Sequence, residues 1–252
     1  MANEVGPAAR DRLDREASFH DQRYADDPRA ASARFYRCSA GRAYFRRRLH
    51  ELVAAQVVLD CGCGTGNTAV ALAEVAAGVT GIDISSVAVT KASQRAARAG
   101  ARNASFQVMD IEALEFPAAT FDVVYGSGVL HHVSLPAASS EIVRVLKPGG
   151  RALFLEPLAH NPLVNLYRRM TPRQRSVDEH PLHVRDLRVL RDHFPQVDTS
   201  YFDLFTLMPA VITPMHRYLP ALQRADAWLF RTVPRAQPLA WVVVVELTAA
   251  PA

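Results

Sequence analysis

Between Gln56 and Glu156, short apolar runs bounded by Gly or Asp alternate with Ala-rich amphipathic segments, and this alternation constrains the fold more than any other feature. The runs are Val57–Leu59, Val79–Ile84, Ala104–Met109, Phe121–Tyr125 and Ala152–Leu155. The segments between them are Thr68–Ala76, Ser86–Ala99 and Pro136–Leu146. A strand with no polar face must be covered on both sides, so these runs predict parallel strands in an open α/β sheet. Lys147-Pro148-Gly149-Gly150 predicts a turn between the last of these helices and the next strand. Upstream, residues 10–54 carry apolar and aromatic residues at helical spacings and predict two helices broken near Asp27-Pro28. Downstream, Val184–His193 predicts a helix, Val197–Leu207 a weak strand, Tyr218–Phe230 an amphipathic helix and Trp241–Leu247 a buried strand. The expected organisation is a helical cap over 1–54 and a core over 55–252, with insertions at about 157–195 and 209–238. The length, 252 residues, suits one large domain.

The first strand runs into a glycine-rich turn, Asp60-Cys61-Gly62-Cys63-Gly64-Thr65-Gly66, and a helix is expected to follow. Glycine lets backbone approach a ligand closely. The dinucleotide fingerprint is Gly-x-Gly-x-x-Gly; here the third glycine comes one residue early and the run starts with an acid. A carboxylate beside a helix N-terminus disfavours a pyrophosphate, which argues against a nicotinamide-dinucleotide oxidoreductase. Two further acids close the next strands. Asp83 stands where an acid can grip a ribose diol, and Asp110 where it can accept from an exocyclic amine. Either acid could instead cap the helix that follows it. Taken together, three carboxylates at the strand ends predict an acidic crevice for a positively charged nucleoside.

Leu59–Gly66, Asp83, Asp110, Phe121-Asp122-Val123-Val124-Tyr125, Leu130-His131-His132 and Leu146–Gly150 strongly resemble the class I S-adenosylmethionine-dependent methyltransferases, in their broad small-molecule (methyltransferase-11-like) group. The resemblance is close over Gln56–Glu156. It implies a Rossmann-like sheet of about seven strands, mostly parallel, with an antiparallel C-terminal strand and helices on both faces. It implies S-adenosyl-L-methionine as cofactor. By position, Gly62, Cys63, Gly64 and Gly66 would pass under the methionine part, with Asp60 near its ammonium. Asp83 would hold the ribose hydroxyls, Ile84 would pack on adenine, Asp110 would accept from the adenine amine beside Ile111, and Gly126 and Ser127 would line the methyl end.

Methyl transfer needs alignment above all, and an oxygen acceptor also needs a base. His131 and His132, just after the fourth strand, are the first candidates, with packing or loop capping by one of the pair as the plainer role; His180 is another, with a solvated loop of local ion pairs as its alternative. A second polar cluster, Glu156, His160, Asn161, Asn165, Tyr167, Arg168, Arg169 and Asp178–His180 with His183, is expected to form an acceptor pocket or lid. Phe19, His20 and Tyr24 are expected near the cofactor. Binding of the cofactor for other chemistry, such as cyclisation or decarboxylation, or service as a non-catalytic partner subunit, is the alternative.

Cys38, Cys61 and Cys63 form neither a disulfide framework nor a metal-ligand set, so no metal is expected. No signal peptide and no membrane span are expected, which predicts a cytoplasmic monomer or homodimer. The absence of the Asn/Asp-Pro-Pro-Tyr/Phe tetrapeptide after the fourth strand, and the near-absence of lysine, point to a small-molecule acceptor and not to nucleic acid. The 29 basic residues include 27 Arg, against 25 acids. Residues 53–160 hold 7 basic and 9 acidic residues, whereas 1–52 and 161–252 each hold 11 and 8. The positive excess flanks the core, and Arg168, Arg169, Arg173 and Arg175 predict a grip on an anionic acceptor, as in specialised metabolism.

Overall fold

The computed structural model describes residues 7–26, 38–171, 176, 178–211 and 213–252. The break expected near Asp27-Pro28, together with Arg173 and Arg175, lies outside them. Helix α1 (Pro7–Asp26) and helix α2 (Ala40–Val53) precede the sheet. The alternating region then gives β1 (Val57–Cys61), α3 (Asn67–Leu72), β2 (Gly78–Asp83), α4 (Ser86–Ala99), β3 (Ala104–Val108), β4 (Phe121–Ser127), α5 (Leu135–Val145) and β5 (Leu146–Pro157). Next come α6 (Pro162–Met170), α7 (Leu187–His193), β6 (Gln196–Phe202), the short α8 (Met208–Val211), α9 (Leu219–Thr232) and β7 (Val242–Thr248). The expected turn at Lys147–Gly150 is an irregularity inside the start of β5, with Gly149 at φ +72° and the register against β4 shifting between Phe121 and Val123.

All seven strands form one sheet in the order β3-β2-β1-β4-β5-β7-β6. The pairs β1–β2, β2–β3, β1–β4 and β4–β5 are parallel. β7 runs antiparallel between β5 and β6. The architecture is thus the Rossmann-like one expected, with the antiparallel terminal strand inserted into the sheet.

The continuous apolar runs have their physical reason in the two faces. Val123 and Tyr125 of β4, with Leu153 and Leu155 of β5, pack beneath Phe45, Leu49 and Val53 of α2. Their neighbours Val124, Ala152 and Phe154 pack on the opposite face with Ala138, Ile142 and Val145 of α5. Strand order reverses between β1 and β4, which opens a crevice at their carboxyl ends, the place where ligands bind in open α/β sheets. On the far edge, Glu246 of β7 joins Arg48 of α2, through bonds of 2.8 and 2.9 Å, to Arg151 of β5. No described helix is long and apolar enough to cross a membrane.

Candidate functional site

The crevice opens into a cavity of about 990 Å³ at the carboxyl edge of the sheet. Its floor comes from the ends of β1 to β5. Of the residues singled out in the sequence, Gly62, Asp83, Ile84, Asp110, Ile111, Ser127, His131 and His132 line it. Asp60, Cys63, Gly64, Gly66 and Gly126 lie beneath or behind this lining and shape it. Gly66 caps α3 in the left-handed region at φ +73°, and a Cβ there would come within 2.8 Å of Ala92. Gly126 is small because Cys61 O, Val129 and Phe154 leave no room for a Cβ. Cys63 directs its thiol to the Gly64 carbonyl, and burial pushes that thiol up.

Asp83 is buried and ties the turn to β2. Its Oδ2 accepts from Gly64 N–H and its Oδ1 from Ser85 N–H, both at 2.9 Å. Asp110 accepts from Glu112 N–H at 2.9 Å, and burial lifts its carboxyl above the usual range. Each acid accepts a backbone N–H in a local turn and lines the cavity; neither caps a helix, since Ser85 caps α4 and a turn follows Asp110. Asp60 is fully enclosed beside Tyr125. Burial pushes it up to about 7; Tyr125 counteracts this and the nearby Asp83 adds to it. A carboxyl raised in the fold gives stability that is present below its ordinary value of 3.8 and lost as pH climbs through about 7. In that window each pH unit costs up to about 1.4 kcal/mol for this group. Urea unfolding of the Asp60→Asn variant is therefore expected to gain on the wild type as pH rises from 4.5 to 7.5 (roughly this window). Parallel stability curves for the two proteins would dismiss the assignment.

His131 and Glu156 form the polar centre of the far wall. Glu156, at the end of β5, is 0 % exposed. Its Oε1 accepts from Val129 N–H and Leu130 N–H at 3.0 Å, and its Oε2 lies 2.7 Å from His131 Nδ1. An ionised carboxylate only accepts, so Nδ1 is the donor in this pair, and in the neutral ring that leaves the lone pair on Nε2. Glu179 Oε1 stands 4.0 Å from that Nε2. His180 contributes differently from what its sequence position suggests. Its backbone N–H donates to His131 O at 2.9 Å, while its side chain is exposed and off the cavity wall.

The roof is α1, which also packs on α4. Arg12, Glu16, His20 and Tyr24, four residues apart, all face the cavity. Arg12 reaches His132 O at 3.1 Å and also pairs with Glu112. Arg15 makes two 2.9 Å bonds to Asp178, and Asp21 accepts from Ser85 Oγ and Val87 N–H. Phe19 packs edge-on against His20 and stays off the wall. Burial opposes the charge of Glu16, but His132, His20 and Ser176 outweigh it and hold the carboxyl below its usual range. The sequence does not single out Arg12, Glu16 or Glu112; the spacing of four along α1 is a signal for Arg12 and Glu16, and Glu112 lies in the turn after β3.

The side wall is apolar: Leu163, Val164, Leu166 and Met170 of α6 face Leu207, Met208 and Trp241. Arg168, expected to grip an anion, is buried on this helix. It donates to Leu158 O at 3.1 Å and Asn165 Oδ1 at 3.0 Å, and so fastens α6 to the end of β5.

Residues 58–150 match the family described as a methyltransferase domain. The chain is 38% identical over 116 residues to the aklanonic acid methyltransferase DauC of Streptomyces sp. (strain C5), covering 44% of this chain and 52% of that protein. It is 41% identical over 104 residues to a ubiquinone biosynthesis O-methyltransferase of Albidiferax ferrireducens, covering 40% and 41%. It thus spans about half the length of the curated relatives it matches. The fold is similar to that of geranyl diphosphate C-methyltransferase from Streptomyces coelicolor A3(2), solved with Mg2+, geranyl diphosphate and S-adenosyl-L-homocysteine. That likeness has a TM-score of 0.61 and 16% identity over 82% of this chain and 80% of the other.

Proposed function

We propose that this chain, whose residues 58–150 match a methyltransferase domain, is a class I S-adenosylmethionine-dependent methyltransferase that methylates a hydroxyl oxygen of a small, largely apolar molecule. The His131–Glu156 pair at 2.7 Å carries this reading, because an oxygen acceptor needs a base and this one faces the cavity. The residues present fit the cofactor. Buried acids on the floor suit a cation, and the glycine turn holds left-handed backbone at Gly62, Gly64 and Gly66, with φ of +70°, +52° and +73°, which lets a ligand lie close over it. When bound, S-adenosyl-L-methionine supplies a methyl carbon activated by positive sulfur. Asp83 would hold the ribose hydroxyls, Asp110 the adenine amine, and Ile84 and Ile111 the adenine faces. Gly62 and Ser127 would border the methionine end, with Asp60 acting from beneath the turn.

His131 Nε2 takes the acceptor's hydroxyl proton, and Glu156 holds the ring and balances the charge it gains. His132 borders the same end of the cavity. Helix α1 excludes water, and the α6 wall sets the apolar character of the acceptor. The apolar side wall supports this reading; Arg168 lines the cavity as well while it donates to Leu158 O and Asn165 Oδ1. Two relatives, the ubiquinone biosynthesis O-methyltransferase and the aklanonic acid methyltransferase, support an organic acceptor of modest size.

Incubation with methyl-labelled cofactor and a panel of phenolic and other hydroxylated apolar compounds is expected to give a labelled product and one equivalent of S-adenosylhomocysteine. An acceptor converted without S-adenosylhomocysteine would establish cyclisation or decarboxylation in place of transfer.

A further inference from the structure

The roof of the cavity holds a set of side chains that the methyl-transfer reading leaves unused. Glu16 Oε2 lies 3.0 Å from His132 Nδ1 and 3.5 Å from His20 Nε2, and one ligand atom from each of the three falls within 4.8 Å of the others. Glu16 is 2 % exposed. Both of its carboxylate oxygens and His132 Nδ1 are sealed from solvent, yet none makes a hydrogen bond of acceptable geometry. Buried polar atoms without partners are rare because the lost hydration must be offset by something. Two imidazoles converging on one carboxylate are a donor set for a cation. Around an ion with metal–ligand bonds of about 2.1 Å, neighbouring donors stand roughly 3.0 to 3.4 Å apart, close to the two spacings observed here.

We propose that Glu16, His20 and His132 bind one divalent transition-metal ion of the zinc class, with its open positions turned into the cavity toward an acceptor oxygen. Two nitrogens and one carboxylate favour such an ion over Mg2+ or Ca2+, which take oxygen ligands. All three residues line the cavity, which puts the ion at the boundary between its roof and the space where the acceptor is expected. Glu16 and His20 sit one turn apart on α1, and His132 follows β4, so the ion would fasten the roof to the floor. A second trio, His131, His132 and Glu179, shares His132. Its His131 is held through Nδ1 by Glu156, which keeps that ring for proton transfer. The metal site stands on its own geometry; the acceptor-oxygen role rests on the methyl-transfer reading.

The test is a titration of chelator-stripped full-length protein with Zn2+ against a chromophoric chelator, and with Co2+ followed by visible absorption. One Zn2+ per chain is expected, and the Co2+ complex should show d–d bands of low coordination number. His20→Asn and His132→Asn should each weaken Zn2+ at least tenfold with an unchanged far-ultraviolet spectrum. His160→Asn, which breaks the surface His160–His183 pair at 3.1 Å, should leave the affinity unchanged. If His132→Asn does not fold, His20→Asn decides alone. No stoichiometric Zn2+ in the wild type, or His20→Asn affinity equal to wild type, overturns the site. Zn2+ bound without any S-adenosylhomocysteine formed would remove the transfer reading and leave the site standing. Transfer by a protein that takes up no Zn2+ would do the reverse.

Discussion

His131→Asn is expected to lower kcat by about 10²- to 10³-fold towards a hydroxyl acceptor, the range typical of a lost general base. KM and the affinity for S-adenosylhomocysteine should stay within about twofold, since the ring faces the acceptor end and not the nucleoside floor. The reason lies in the wall behind it. Glu156 is enclosed, spends Oε1 on two backbone N–H groups and offers Oε2 to His131 Nδ1, which fixes the free lone pair on Nε2. Glu156→Gln should show the same kcat loss together with lower stability. An amide nitrogen placed at either oxygen would leave buried N–H groups without an acceptor, at about 1–3 kcal/mol each. Single-turnover assays with labelled cofactor, beside urea unfolding of the same variants, separate the two effects. If His131→Asn keeps the rate, the cavity works by alignment alone and His131 is a packing residue.

The sheet was legible because its signal is local. Runs apolar on both faces can only be covered strands, and Ser86–Ala99 reads as a helix with the bounds it has in the structure. The acids at the strand ends were legible for the same reason, since a parallel sheet puts every strand's last residue on one edge. Asp60 stands one residue before the end of β1, so its carboxyl lies beneath the cavity lining and not on it. Arg168, expected to hold an anionic acceptor, lines the cavity, and its bonds to Leu158 O and Asn165, which close α6 on β5, carry no signal in the sequence. The roof was the hardest part to see. Arg12, Glu16, His20 and Tyr24 form a polar stripe with a spacing of four, which on a helix normally marks a solvated face. Only the fold of α1 over the sheet edge turns that stripe inward, bringing Glu16 against His132, 116 positions further along the chain. The Glu156–His131 pair was hidden likewise, its members named in separate clusters until β4 and β5 lay side by side.

Asp83→Ala is expected to weaken S-adenosylhomocysteine binding by about 10- to 100-fold. A hydrogen bond to a charged group is worth about 1.5–3 kcal/mol, and about 1.4 kcal/mol is a factor of ten. The same change removes the acceptor of Gly64 N–H and Ser85 N–H, so stability should fall as well, and a loss of binding alone could be mistaken for a loosened turn. Ser85→Ala separates the two. That hydroxyl caps α4 by accepting from Ala88 N–H at 3.0 Å and donates to Asp21, but it is not on the cavity wall. Its loss should cost about 1 kcal/mol of stability, as a lost cap does, with nucleoside affinity nearly intact. Calorimetry at a temperature where both variants are fully folded makes the comparison. If Asp83→Ala binds as tightly as Ser85→Ala, the acid only ties the turn and the ribose must be held elsewhere. If only Asp83→Ala loses affinity, the carboxylate that organises the turn also grips the ligand.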